Sequence, residues 1–236
     1  MSNVICCAGF SNTGKSTSLK YLDPAETFIV SCTNKQLQIP GFRKKYPKVT
    51  VKNNKLVGNW YVSNNYEQIA KILKLVSGTR ADIHVVILDD INYCLSNEIM
   101  ENATVKGFDK FTAQAKNYYE LITGAQNLRD DLTVVLISHI INDGTDIEPS
   151  YKLYSSGKML DKTVNLDGLF SYIIYTDKYV DEDGEVHYRF MTRTNGNDTC
   201  RSVAGCFAEK YIEPNMKLVI DTINKFENGE ETDELD

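Results

Sequence analysis

The chain of 236 residues is 42% hydrophobic and 25% charged, ordinary values for a globular protein with one large domain and a substantial core. No apolar run approaches the length of a membrane span. Val4–Gly9 is too short for a signal peptide and has no basic leader, so a cytoplasmic protein with no membrane partner is expected.

In chain order, Val4–Ala8 reads as a strand and Lys15–Leu22 as the helix after it, stopped by Asp23-Pro24. Between them runs Gly9-Phe10-Ser11-Asn12-Thr13-Gly14-Lys15-Ser16-Thr17, which contains Gly-x-x-x-x-Gly-Lys-Ser in a strand–loop–helix context. That is the P-loop pattern. Gly9 and Gly14 let the backbone turn tightly, so that consecutive N–H groups of the loop point inward at a phosphate. The candidate nucleotide-binding residues are therefore Gly9, Ser11, Asn12, Thr13, Gly14, Lys15, Ser16 and Thr17. The helix start would add its positive dipole end. Lys15 would reach the β- and γ-phosphates of ATP as a catalytic cation, and the Ser16 hydroxyl would ligate Mg²⁺.

Thr27–Cys32 is a second buried strand. An irregular region with Pro40, Gly41 and Pro47 leads into Val49–Val57, a hairpin turning at Asn53-Asn54, and Trp60–Val62 extends it. This insertion, about residues 40–62, holds Arg43, Lys44, Lys45, Lys48, Lys52 and Lys55 with no acid from Arg43 to Lys55. With Tyr46, Trp60 and Tyr61 nearby, it suits contacts to a single-stranded DNA backbone with base stacking. Solvated charges on a projecting hairpin are the alternative. Tyr66–Val76 places Ile69, Ile72, Leu73 and Val76 at helical spacing.

His84–Asp90 is an apolar strand ending in two carboxylates. With the P-loop upstream it reads as a Walker B strand. Asp89 would hold Mg²⁺ through water, and Asp90 would orient or deprotonate the attacking water. Phe111–Leu128 is a helix. Leu132–Ile140 is another buried strand, ending in Ser138-His139. Either residue is a candidate γ-phosphate sensor, against a satisfied surface histidine. Asn142–Lys162 is polar and loop-like. Within it Lys158 is a candidate arginine-finger equivalent across a homo-oligomer interface, against a solvated lysine. Arg193 and Arg201 are weaker candidates of the same kind.

Leu169–Thr176 is a further strand. Lys178–Asp183 and Glu185–Thr192 form a hairpin around Asp183-Gly184, and Glu213–Phe226 is the last helix. The alternation of strands and helices predicts one α/β domain over residues 1–226. Its sheet would be largely parallel, covered on both faces, with an antiparallel hairpin at one edge. The net charge of −6 sits in residues 227–236. There Glu227, Glu230, Glu231, Asp233, Glu234 and Asp236 have no basic residue among them, and the remaining body holds 26 acidic and 26 basic residues. Composition marks this tail as disordered. It would compete for the DNA-binding surface or recruit a basic partner, such as a single-strand-binding or replication protein. The six cysteines, at 6, 7, 32, 94, 200 and 206, form no Cys-x-x-Cys pair and lack metal-ligand spacing. Cys6 and Cys7 point to opposite faces of their strand as small apolar groups.

Taken together, Gly9–Thr17, Val85–Asp90, Val134–His139, the Gly157-Lys158 loop and the Tyr188–Thr194 strand leading to Phe207 resemble a phage-encoded family. These are small RecA-like P-loop ATPases, often labelled AAA-type ATP-binding proteins, and they include the Sak-type single-strand annealing proteins. The resemblance spans about residues 2 to 226, and only the Walker motifs are specific. It implies a RecA-like core, ATP and Mg²⁺ binding, and work in phage DNA recombination or replication in the host cytoplasm. Carried over, Gly14, Lys15, Ser16 and Thr17 would bind nucleotide and Asp89 would serve Mg²⁺. One departure stands out. RecA-type enzymes place a catalytic glutamate after the second strand, whereas Ser31-Cys32-Thr33-Asn34-Lys35 holds no acid. Hydrolysis is then slow or depends on Asp90. Three alternatives stay open. A helicase loader or DNA-packaging ATPase shares every motif. A nucleotide or polynucleotide kinase is disfavoured by Asn12 in mid-loop and by the lack of an Arg-rich lid. A nucleotide-gated DNA-binding module with little turnover fits the missing glutamate.

Overall fold

The computed structural model describes residues 1–52, 55–107, 109–155 and 164–230, with the backbone alone at Lys52. Its centre is an eight-stranded sheet. Six strands run parallel: β1 (Asn3–Ala8), β2 (Thr27–Ser31), β5 (Trp60–Val62), β6 (Val85–Asp89), β7 (Thr133–Ser138) and β10 (Tyr172–Val180). Two antiparallel strands, β11 (Val186–Met191) and β12 (Tyr211–Ile212), complete one edge. The order across the sheet is β12-β11-β10-β1-β7-β6-β2-β5. Two small antiparallel pairs lie outside it: β3 (Thr50–Lys52) with β4 (Lys55–Val57), and β8 (Ile140–Asn142) with β9 (Tyr151–Leu153).

Both faces of the sheet are covered, which is why its strands are apolar along their whole length. On β1, Val4, Cys6 and Ala8 pack on one side with α2 (Tyr66–Thr79), α3 (Asn92–Glu101) and α4 (Asp109–Gln126). Ile5 and Cys7 pack on the other side with α5 (Met216–Glu227) and with Phe42 and Tyr46 of the α1 (Phe42–Lys45) region. The two adjacent cysteines thus face opposite cores. All six thiols are free and buried, and burial pushes Cys7 and Cys200 up to about 12. Thiols so shielded are unreactive packing groups. Among the described residues no helix is long and apolar enough to cross a membrane.

Several expectations change. The helix over Lys15–Leu22 is instead a 3₁₀ segment, Thr17–Tyr21. The run Ser16-Thr17-Ser18 competes with helical hydrogen bonding, and the Ser18 hydroxyl donates to the Lys15 carbonyl at 2.6 Å. The last parallel strand and the first arm of the C-terminal hairpin are one strand, β10. Trp60–Val62 does not extend the basic hairpin. It pairs with β2 as the outermost strand of the main sheet. Helix α3 and the β8–β9 pair were not foreseen. The folded body also reaches past residue 226: Glu227 closes α5 and accepts a hydrogen bond from the Tyr172 hydroxyl. Glu230 donates its N–H to the Lys225 carbonyl at 3.0 Å. The Asn53-Asn54 turn, Lys158 and residues 231–236 lie outside the described residues.

Candidate functional site

Parallel pairing brings the carboxyl ends of β1, β7, β6 and β2 to one end of the sheet. Ala8 pairs with Ser138, and Ser31 with Asp89. The loops that follow these strands meet there, in the crevice where open α/β sheets carry their ligands. The result is a cleft of about 410 Å³ lined by residues 11–18 and by Lys20, Tyr21, Lys35, Gln38, Asp90, Tyr93, His139, Tyr188 and Pro214.

The Gly9–Thr17 loop forms one wall. A Cβ at Gly9 would stand 2.9 Å from the Thr176 carbonyl oxygen, so only glycine fits between β1 and β10. Gly14 has φ +91°, and a Cβ there would stand 3.5 Å from the Tyr188 ring. The Thr13 hydroxyl bonds the Phe10 carbonyl at 2.7 Å and the Thr176 hydroxyl, tying the loop to β10. Lys15 is buried, and its Nζ donates to the Gly9 and Phe10 carbonyls at 2.8 and 2.6 Å. Burial lowers its pKa.

Below the loop, the Ser16 hydroxyl donates to Asp89 Oδ1 at 3.3 Å. Asp89 is fully buried, and its Oδ2 has no hydrogen-bond partner. Burial, then the neighbouring Asp90, push its carboxyl up to about 7. A buried carboxylate oxygen without a partner is costly and calls for explanation by a missing ligand. Asp89 and Ser16 fit two positions of a Mg²⁺ ion, which takes most of its ligands from water and phosphate. Among the described residues there is no group of three or more His, Cys, Asp or Glu that could hold a metal ion.

Asp90 closes the cleft from the other side. Its Oδ2 is 3.2 Å from Lys35 Nζ and its Oδ1 is 3.6 Å from His139 Nε2. Burial alone would raise its pKa, but the nearby His139 ring and the Lys35 charge outweigh it and hold the carboxyl below the ordinary range. Asn92, at the start of α3, braces this corner. Its Oδ1 accepts from the His139 N–H at 2.7 Å and from the Ser138 hydroxyl at 3.1 Å. Among the described residues, the only non-glycine residues with positive φ are Asn12 (60°) and Asp90 (57°). Both line this cleft, and such backbone strain concentrates at working sites.

The structure therefore joins Lys15, Ser16, Asp89, Asp90, Ser138 and His139 in one place. Lys35, Asn92, Tyr188 and the Thr176 partner of Thr13 were missed. Only Lys35 left a signal: a cation where the resemblance called for an acid. Arg193 donates to the Ala208 carbonyl at 2.9 Å, and neither it nor Arg201 lines the cleft. The basic segment lies apart. Arg43, Lys44, Lys45, Lys48 and Lys55 are exposed, but Tyr46 and Trp60 are buried against Phe42 and present no face for a base. Trp60 instead donates to the Ser31 hydroxyl at 3.0 Å, with Lys48 Nζ 6.0 Å from its ring. Base stacking by these two rings is thus ruled out by packing.

Fold and site define an α/β protein with a mostly parallel central sheet and a polar cleft at the strands' carboxyl ends. No protein-family model matches the chain, and no curated protein matches its sequence.

Proposed function

We propose that this protein is a Mg²⁺-dependent, RecA-like P-loop ATPase that acts on DNA, as the phage recombination proteins it resembles do. The observation that carries the reading is the Ser16–Asp89 contact beneath the Gly9–Thr17 loop, with one Asp89 oxygen unpartnered. It brings two motifs 73 residues apart within hydrogen-bonding distance, which supports a shared Mg²⁺ site. Strand order supports it too, since β7 with Ser138-His139 separates β1 from β6 and faces the same cleft.

On this reading the loop amides and Lys15 hold the β- and γ-phosphates, and Ser16 and Asp89 hold Mg²⁺. Bound there, the ion would neutralise charge on the phosphate oxygens. Water attacks the γ-phosphorus, its bond to the bridging oxygen breaks, and ADP leaves with the electron pair. Asp90 or His139 takes the water's proton. Tyr188, beside Gly14, lines the same cleft. One observation favours a second reading, a nucleotide-gated module with little turnover: Asp90 Oδ2 faces the Lys35 ammonium, which weakens it as a base. Phosphate release measured with and without single-stranded DNA separates the two. DNA-stimulated turnover supports the ATPase, ATP binding without turnover supports the module, and phosphate transfer to a nucleoside or a nucleic-acid end makes it a kinase.

DNA binding rests on the exposed cations of α1 and the β3–β4 hairpin, and on phosphate contacts rather than stacking. Replacing Arg43, Lys44 and Lys45 with alanine is expected to weaken single-stranded DNA binding and to flatten its salt dependence by about 2 in log–log slope, at ~0.7 for each phosphate no longer neutralised. Deleting residues 231–236 should strengthen binding at low salt and change little at high salt, since it removes four acidic groups. Titration of a fluorescent oligonucleotide at several salt concentrations measures both. Unchanged affinity in the triple variant would leave the segment as solvated charge.

A further inference from the structure

We infer that Lys35 is the residue by which the cleft tells a nucleoside triphosphate from a diphosphate, and that Asp90 holds it in reserve until the γ-phosphate arrives. The inference rests on the nucleotide reading above. Lys35 follows β2 and lines the cleft wall opposite the Gly9–Thr17 loop. Its ammonium lies 3.2 Å from Asp90 Oδ2. The partners differ in freedom: the Lys35 side chain is 59% exposed, that of Asp90 6%. Asp90 is fixed further by His139 at 3.6 Å and by its left-handed backbone. The lysine is therefore the freer partner of the two.

The mechanism does not otherwise need Lys35. Lys15 already serves the β- and γ-phosphates, and Asp89 with Ser16 serves the ion. What Lys35 adds is a second cation on the Asp90 side of the cleft. A terminal phosphate carries more charge than a carboxylate and presents three acceptor oxygens, so it competes well for a lysine held by one. Transfer of Lys35 to the γ-phosphate leaves Asp90 Oδ2 without its cation and open to a water. ADP has no γ-phosphate and leaves the Lys35–Asp90 pair as it stands. One exchange would thus couple triphosphate recognition to exposure of the carboxylate.

The test is equilibrium binding of Mg-ATP and Mg-ADP to the full chain and to Lys35→Met, Asp90→Asn and the double variant. Lys35→Met is expected to lose about tenfold or more in ATP affinity, the worth of a charge-assisted hydrogen bond, and to leave ADP affinity unchanged. Asp90→Asn removes the competitor, so ATP should bind more tightly than to the unaltered chain, again with ADP unmoved. The double variant should lose that gain. A merely structural role for Lys35 would lower both affinities together and overturn the inference. So would an ATP-to-ADP ratio that neither single substitution moves while both nucleotides still bind. If the unaltered chain binds neither nucleotide, the nucleotide reading itself falls, and this inference with it.

Discussion

Lys15→Ala is expected to abolish ATP turnover and to weaken ATP binding by about 10- to 100-fold, the loss of roughly 1.5–3 kcal/mol of charged hydrogen bonding. Lys15 is the cation built into the loop itself, and its Nζ already sits on the loop carbonyls of Gly9 and Phe10. A phosphate arriving at the loop would need only a small swing of that amine. The fold should tolerate the change. Two hydrogen bonds disappear, but so does a cation whose burial is costly, as its lowered pKa reflects. Calorimetry of ATP binding, with a thermal melt as the control for folding, checks both halves. Unchanged affinity and turnover in a folded variant would remove the phosphate-binding assignment.

Asp89→Asn has the second large effect, and its two consequences run in opposite directions. Without the carboxylate, the Mg²⁺ dependence of nucleotide binding should vanish, and turnover with it. Thermal stability of the ligand-free protein should rise. The folded-state pKa of Asp89, about 7, lies above its unfolded value of roughly 3.9. Ionising it in the fold therefore costs free energy. That cost is absent below the unfolded pKa, grows as pH rises between the two values, and is complete above the folded one. Asparagine carries none of it, so the stability gain should be small near pH 4 and largest above pH 7. Melting temperatures across that range test the sign. A variant less stable than the parent at pH 8 would show that Asp89 is a structural anchor. Trading stability for function at a buried, unpaired charge is common at such sites.

Much of this was legible in the sequence for a simple reason. The strands β1, β6 and β7 are buried on both faces, so their apolar runs are unbroken and their ends abrupt. The residues at and just past those ends, Gly9, Asp89-Asp90 and Ser138-His139, could be read as one site because parallel pairing puts them on one side. What stayed hidden depended on long-range contact or on weak periodicity. Helix α3 buries Asn92, Cys94 and Leu95 but little else, too few apolar positions for a helical pattern to show. The Lys35–Asp90 pair joins residues 55 apart, and no local rule connects them. The aromatic residues of the basic segment were misread for the opposite reason. Phe42 and Tyr46, four apart at the start and just past the end of α1, both turn inward and leave Arg43, Lys44 and Lys45 outside. Charge there marked the surface correctly, but the rings beside it belong to the core.

On the proposed reading, the Gly9–Thr17 loop and the Asp89-Asp90 strand end together bind a nucleotide's phosphates. Amide hydrogen exchange of the full chain, with and without Mg-ATP, tests it most directly. The expected result is slowed exchange confined to residues 9–18, to 89–92 and to the segment around Lys35, lost when Mg²⁺ is chelated. No protection at saturating Mg-ATP, or protection confined to some other surface such as the groove between α2 and α4, would contradict it.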